Sequence, residues 1–311
     1  MKNLDIVTIG EGLVELSSNA SLAISDNFTQ FFGGDTLVTA VSALRMGSSV
    51  GYITKLGHDP FGEYLLDAWQ LEGLDTSQIK MVQGQNGLYF IARVDGHKSC
   101  QYYRKKTAAT ELSLDDINFE YINSAKAFYG TGFVQSLSLN CAEAIKEIYK
   151  FAKENDMITA YDPNYSKNVW EESEACEAFE EIKDNIDIMF LRNDSDAVAL
   201  FGTDSADEII KKMNDLAIPI FVLKEYKKGI HTIMNGDYEF IKYEDYYVAD
   251  ATGCDAAFNG AFLSAYLNGS NPFYCSKFAN SLAMLQIQKM GAVKSIPNRK
   301  NVEKLFGEIY G

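Results

Sequence analysis

Histidine is scarce in this 311-residue chain, with three in all, and its five cysteines (Cys100, Cys141, Cys176, Cys254, Cys275) have no paired spacing. Zinc centres and disulfide frameworks need such ligands at regular intervals, so neither is expected. Reduced thiols in a cytoplasm fit the pattern best. No run of about 18 apolar residues occurs, which leaves no helix to span a membrane. The opening residues, Met1 to Asp5, lead straight into an apolar run at 6–10, which is not the design of a signal peptide. Positive charge is also in short supply: 28 Lys and Arg face 43 Asp and Glu, a formal net charge of −15. A nucleic-acid binder needs a basic face. An anionic small ligand must therefore be drawn by a local basic cluster, against the overall field. Two clusters qualify, Arg104-Lys105-Lys106 and Lys224 with Lys227 and Lys228. Solvated surface lysines are the plain alternative for each.

A hydrophobic fraction of 47% supports a packed interior, and the length suits one large α/β domain with a small appendage. Apolar runs at 6–10, 50–56, 127–129, 158–161, 188–191 and 218–223 read as buried strands. Helical periods lie between them at 35–46, 61–72, 142–155 and 206–216. This alternation builds a mostly parallel sheet covered on both faces. Two regions break the rhythm. Residues 12–32 have turn formers (Asn19, Ser21, Ser25, Asp26, Asn27) before an aromatic stretch, and 87–106 alternate as a hairpin around Asp95-Gly96. Together they suggest a small inserted β-sheet, either a lid over a cleft or plain decoration. The C-terminal third adds a hairpin at Asn235-Gly236 and two helices, 253–267 and 273–290; no repeat or low-complexity tract is present.

The stretch 248–260, Val-Ala-Asp-Ala-Thr-Gly-Cys-Asp-Ala-Ala-Phe-Asn-Gly, reads as a short strand, a small-residue turn and an apolar helix. Such a turn aims backbone N–H groups and the positive end of a helix dipole at one point, which holds phosphate. Upstream, Gly33-Gly34 lets backbone approach a ligand closely, and Asp35 or Thr36 is expected to cap the helix that follows. Asp59 and Gly62 read as a structural turn.

These two segments, in this order, resemble the two signatures of the ribokinase-like (PfkB) carbohydrate kinases, and the resemblance covers essentially the whole chain. Within that family the likeness is closest to 2-keto-3-deoxygluconate kinases, through Gly33-Gly-Asp-Thr-Leu37, Tyr102-Tyr-Arg104 and Asp162-Pro-Asn-Tyr165 followed by Trp170. The resemblance implies a sugar or sugar-acid acceptor, ATP, Mg2+ and a monovalent cation near Asp250, Gly291 and Ala292. It implies substrate contacts at Gly33, Gly34, Val38, Tyr89, Tyr102, Arg104 and Ser166, with Arg104 gripping the sugar carboxylate. Nucleotide contacts fall at Asn193, Lys224, Tyr226, Gly229, Thr252 and Gly253, and Asp196 is expected to reach magnesium through water. Lid sheets in the family often pair between subunits, so a homodimer through the lid is expected.

The departures concentrate at ligand-facing positions. With Asp250, Thr252, Gly253, Phe258, Asn259 and Gly260 in their usual places, Cys254 stands at an alanine and Asp255 at a glycine. Ala256 then stands where the family has its catalytic aspartate. One residue at a helix start is about 100° of rotation, so Asp255 is a displaced candidate base. Val38 replaces a sugar-binding asparagine, Ser166 an arginine and Tyr226 a glycine of the nucleotide loop. Three readings stay open: a working sugar kinase with another acceptor or with Asp255 recruited as base, a kinase-fold binding or regulatory protein without turnover, and a nucleoside or fructose kinase. Arg104 and the 162–165 segment count against the third.

Overall fold

The chain was analysed as a computed structural model, which describes residues 2–94 and 97–311; the Asp95-Gly96 turn lies outside the described residues. In chain order the strands are β1 (Leu4–Ile9), β2 (Leu13–Ser18), β3 (Thr29–Gly33), β4 (Val50–Gly57), β5 (Asp75–Val82), β6 (Gly87–Val94) and β7 (His97–Tyr103). They continue with β8 (Ala125–Thr131), β9 (Ile158–Asp162), β10 (Ile188–Arg192), β11 (Ile220–Glu225), β12 (Gly229–Met234) and β13 (Asp237–Lys242). The main sheet runs β13-β12-β11-β10-β9-β8-β1-β4-β5. From β11 to β5 the neighbours are parallel, and β12 and β13 close one edge as antiparallel hairpin strands.

The central strands are mostly apolar because both of their faces are covered. Ile188 and Phe190 of β10, with Ile220 and Val222 of β11, belong to one core. Met189, Leu191, Phe221 and Leu223, one residue out of phase, belong to the other. Successive side chains on a strand point to opposite faces, so a run with no polar gap is what a doubly covered sheet requires. Helices Asp35–Arg45, Pro60–Glu72, Cys254–Leu267 and Pro272–Gln286 supply the first core. Leu139–Glu154, Glu172–Glu180 and Ala206–Asp215 supply the second. The expected Asp59 turn is a helix cap, its carboxylate accepting from the N–H groups of Phe61 and Gly62.

The second sheet is small, with order β3-β2-β6-β7. It draws on the two stretches that broke the α/β rhythm. Its middle pair, β2 and β6, is parallel, while both outer pairs are antiparallel. β2 follows β1 after three residues, so the small sheet springs from the carboxyl end of a central strand of the main one. Ligands of open α/β sheets bind beyond that end.

Candidate active site

Two helices begin at the same cavity. Helix Asp35–Arg45 starts at Gly34 (φ 132°) and helix Cys254–Leu267 at Gly253 (φ 76°), and neither start has a side-chain cap. Both glycines have positive φ, where a side chain is disfavoured. A Cβ at Gly34 would lie 2.3 Å from the Glu11 carbonyl oxygen, and one at Gly253 only 3.2 Å from Val38 and Ala292. The two starts are fastened together. Thr39 Oγ1 donates to the Ala256 carbonyl at 3.0 Å and Ser42 Oγ to the Ala257 carbonyl at 2.5 Å. Two positive helix ends thus face a cavity of about 290 Å3. The lid contributes Leu13, Tyr89, Ile91 and Tyr102 to its lining. The expected cap at Asp35 or Thr36 is corrected: Gly34 holds that position, and Thr36 Oγ1 pairs with the Tyr52 hydroxyl at 3.1 Å.

The cavity is rich in carboxyl groups. The Asp35 carboxylate oxygens are buried with no donor in good hydrogen-bond geometry; Thr131 and Asn164 lie close enough to steady the charge, but burial outweighs them and pushes this group up to about 6. Asp162, at the end of β9, accepts from Asn259 Nδ2 at 2.6 Å and from the Asn164 N–H at 2.9 Å. Burial, and then the Asp196 charge, push it up to about 7. Asn259 Oδ1 in turn accepts from Lys224 Nζ at 2.9 Å. The same ammonium donates to the Asp255 carbonyl at 3.0 Å and sits 3.4 Å from the Asp255 carboxylate. Lys224 is buried and Asp255 half exposed, so the β11 lysine leans into the first turn of helix Cys254–Leu267. Arg192 also lines the cavity, held by an ion pair with Asp196 at 2.9 Å.

Most residues named from sequence meet here. Gly34, Val38, Tyr89, Tyr102, Ser166, Thr252, Gly253, Asp255 and Ala256 all line this cavity. Gly33 is the buried last residue of β3. The Tyr89 hydroxyl is already committed, donating to Glu15 Oε2 at 2.6 Å. Ala256 is 7% exposed and presents a methyl group. On the nucleotide side, Asn193 Oδ1 accepts from the Tyr226 N–H at 2.8 Å, the Tyr226 ring is exposed, and Gly229 opens β12. Cys254 is half-buried, and burial pushes its thiol up to about 12.

Three groups expected to meet ligands are engaged within the protein. Arg104 does not line this cavity: its guanidinium is buried, ion-paired with Glu11 at 2.8 Å and stacked 3.9 Å over the Phe133 ring. It borders a separate groove of about 980 Å3 with Lys105 and Lys106, which are exposed as the surface alternative expected. Asp196 cannot reach an ion through water, because its carboxylate is fully buried and accepts from Arg192 and the Tyr165 N–H. The Asp250 carboxylate, near which a monovalent cation is expected, is bound by Arg93 of the lid at 2.5 Å. Asp35, Asp162, Arg192 and Asn259 were not named as ligand residues from sequence. Three of them lie inside quoted motifs and Arg192 directly precedes Asn193, so adjacency was the available signal.

The donors at the Gly253 helix start, with Lys224 behind them, suit phosphate. Among the described residues no group of three or more His, Cys, Asp or Glu could enclose a metal. A magnesium ion held mainly by phosphate and water needs one or two carboxylates, and Asp255 is the accessible one at that end.

A pfkB family carbohydrate kinase model matches residues 3–299. The 2-dehydro-3-deoxygluconokinase of Thermoproteus tenax is 26% identical, over 97% of this chain and 94% of that protein. The 5-dehydro-2-deoxygluconokinase of Clostridium beijerinckii is 29% identical, over 99% and 94%. Among solved structures, a putative ribokinase II from E. coli in complex with ATP and Mg2+ superposes with a TM-score of 0.90 at 18% identity, covering 98% of this chain and 99% of that one; it speaks for the fold alone. With uncapped helix starts, a lid and buried carboxyl groups at the family's own signatures, and a family match over nearly its full length, the chain belongs to the pfkB family of carbohydrate kinases.

Proposed function

We propose that the chain transfers a phosphoryl group from ATP to a hydroxyl of a small sugar acid resembling 2-keto-3-deoxygluconate, and does so slowly. The observation that carries this reading is the buried Asp35 carboxylate, only partly satisfied by nearby Thr131 and Asn164, on the wall of a cavity lined by the lid. A buried acceptor that is only partly satisfied costs stability, and sugar hydroxyls would supply further donors. The cavity is at the small end for ligand pockets, roughly 300–1,000 Å3, which suits a compact polar acceptor. Arg192 and the uncapped start of helix Asp35–Arg45 offer positive charge to a sugar carboxylate.

ATP would supply the phosphoryl group, with Mg2+ neutralising its charge. The turn at Thr252 and Gly253, together with Lys224, would hold that anionic end. The slow step follows from Ala256. Its methyl cannot take the acceptor proton, and the neighbouring Asp255 is engaged with Lys224. A missing positioned base typically costs about 10²–10⁴ in rate.

A second reading, a binding or regulatory protein without phosphoryl transfer, is favoured by that same ion pair. It neutralises the lysine and sets a carboxylate beside the phosphate end. Calorimetric titration with 2-keto-3-deoxygluconate and, separately, with Mg-ATP distinguishes the two. The slow kinase binds both. The binding protein takes the sugar acid alone. Binding of fructose or a nucleoside with no binding of the sugar acid would overturn the acceptor assignment. We further propose a homodimer through the lid, whose Phe28, Phe90 and Tyr103 form edge-to-face ring contacts with Phe28 and Tyr103 exposed; sedimentation velocity of the unmodified chain against Tyr103→Lys tests it.

A further inference from the structure

Arg93 connects parts of the molecule that are otherwise far apart in sequence. It extends from β6, in the lid, to the turn that opens helix Cys254–Leu267. Its NH2 group donates to Asp250 Oδ2 at 2.5 Å and to Thr252 Oγ1 at 3.1 Å, and its NH1 group to Ser17 Oγ of β2 at 2.6 Å. Glu15, also on β2, has a fully buried side chain with an oxygen 3.7 Å away. Asp250 fixes the turn from behind, accepting from the N–H groups of Thr252 at 2.9 Å and Gly291 at 3.0 Å. Two buried carboxylates, one from the lid and one from the core, therefore converge on one guanidinium that is 11% exposed.

Buried carboxylates need a counter-charge, and removing one partner of a buried pair leaves the other strongly unfavourable. An arginine suits the place because its planar fork serves several acceptors at once. Because Glu15, Ser17 and Arg93 belong to the lid while Asp250 and Thr252 belong to the turn, compensation is complete only with the lid seated on the core.

We propose that Arg93 is a resident cation of the anion-holding turn: its guanidinium does from the lid what a dissociable monovalent cation would do at Asp250, so that seating the lid and shaping the turn are one event. The chain accordingly needs no added cation, and Arg93 is a positioning residue acting through Asp250 and Thr252. This does not rest on the identity of the sugar.

The test compares the unmodified chain with Arg93→Ala in sodium, potassium, tetramethylammonium and millimolar guanidinium chlorides at constant ionic strength. Thermal unfolding and deuterium exchange of β2 and β6 are the readouts. The unmodified chain should be indifferent to the cation. Arg93→Ala should melt several degrees lower and lose lid protection, and guanidinium or potassium should restore both saturably, while bulky tetramethylammonium should not. Selective stabilisation of the unmodified chain by potassium, or no restoration of Arg93→Ala by any cation, overturns the proposal. If Arg93→Ala does not fold, Arg93→Ala with Asp250→Asn removes a carboxylate together with the guanidinium. That chain should show no cation response, and a restoration by potassium in it overturns the proposal equally.

Discussion

Restoring the family's register by Asp255→Gly with Ala256→Asp should raise phosphoryl transfer by roughly 10- to 10³-fold. A base in place contributes about 10²–10⁴, or ~3–5.5 kcal/mol of barrier. Ala256 lies on the cavity wall with its carbonyl pinned by Thr39, so a carboxylate built there enters the cavity without moving the helix. The new charge joins Asp35 and Asp162, and a like charge at roughly 6 Å in an effective dielectric of about 20 costs about 3 kcal/mol. Those two groups are pushed up to about 6 and about 7, so part of that repulsion is relieved by their protons. Removing Asp255 also releases Lys224 from its partner at 3.4 Å toward the phosphate end. The assay is steady-state ADP release from Mg-ATP with 2-keto-3-deoxygluconate, with both single variants and a thermal melt as controls. A folded double variant no faster than the unmodified chain would refute the displaced-carboxylate explanation. Loss of all turnover in Asp255→Gly alone would refute it from the other side, by making Asp255 the working base.

Other substitutions probe the surrounding structure. Arg104→Met should cost about 3–5 kcal/mol in chemical denaturation, because it strands the buried Glu11 carboxylate; adding Glu11→Gln should recover most of that, whereas an arginine serving mainly as a sugar ligand would lower sugar affinity with little change in stability. Tyr226→Gly removes an exposed ring, so stability should change by less than about 1 kcal/mol while the Kd for Mg-ATP falls several-fold; an unchanged Kd would clear the ring of obstructing the nucleotide. Asp162, raised from 3.8 to about 7, keeps its proton in the folded chain over a range where the unfolded chain has lost it. Its stabilising contribution is therefore full below about pH 4 and is lost as pH rises through about 7. Asp162→Asn should flatten that fall in denaturant midpoints, and an unaltered pH profile would contradict the raised value.

The parts of the fold that were legible in sequence are those with a local cause. Strands β10 and β11 show as unbroken apolar runs over 188–191 and 220–223 because both their faces are buried. β5 was missed because it is an edge strand with no fully buried residue, and the C-terminal helix Arg299–Tyr310 because only Val302 on it is buried. The β-character of 12–32 and 87–106 was legible, but the parallel pairing of β2 with β6 was not, since such a pairing leaves no mark on either segment alone. In the site, Gly253 was readable as a turn at a helix start, and Ala256 from the resemblance to the family's second signature. Arg104 was misplaced because nothing near it in sequence reveals Glu11, a partner 93 positions away. Arg93 and Asp250, 157 apart, escaped for the same reason. Buried ion pairs are long-range facts, whereas glycine turns and helix starts are short-range ones.

Acceptor-dependent release of ADP by the unmodified chain, measured with Mg-ATP across sugar acids, neutral hexoses and nucleosides, puts the proposed reaction to the test. Slow turnover confined to sugar acids is the expected result. Equal or faster turnover with a neutral sugar or a nucleoside, or none with any acceptor although the sugar acid binds, would contradict it.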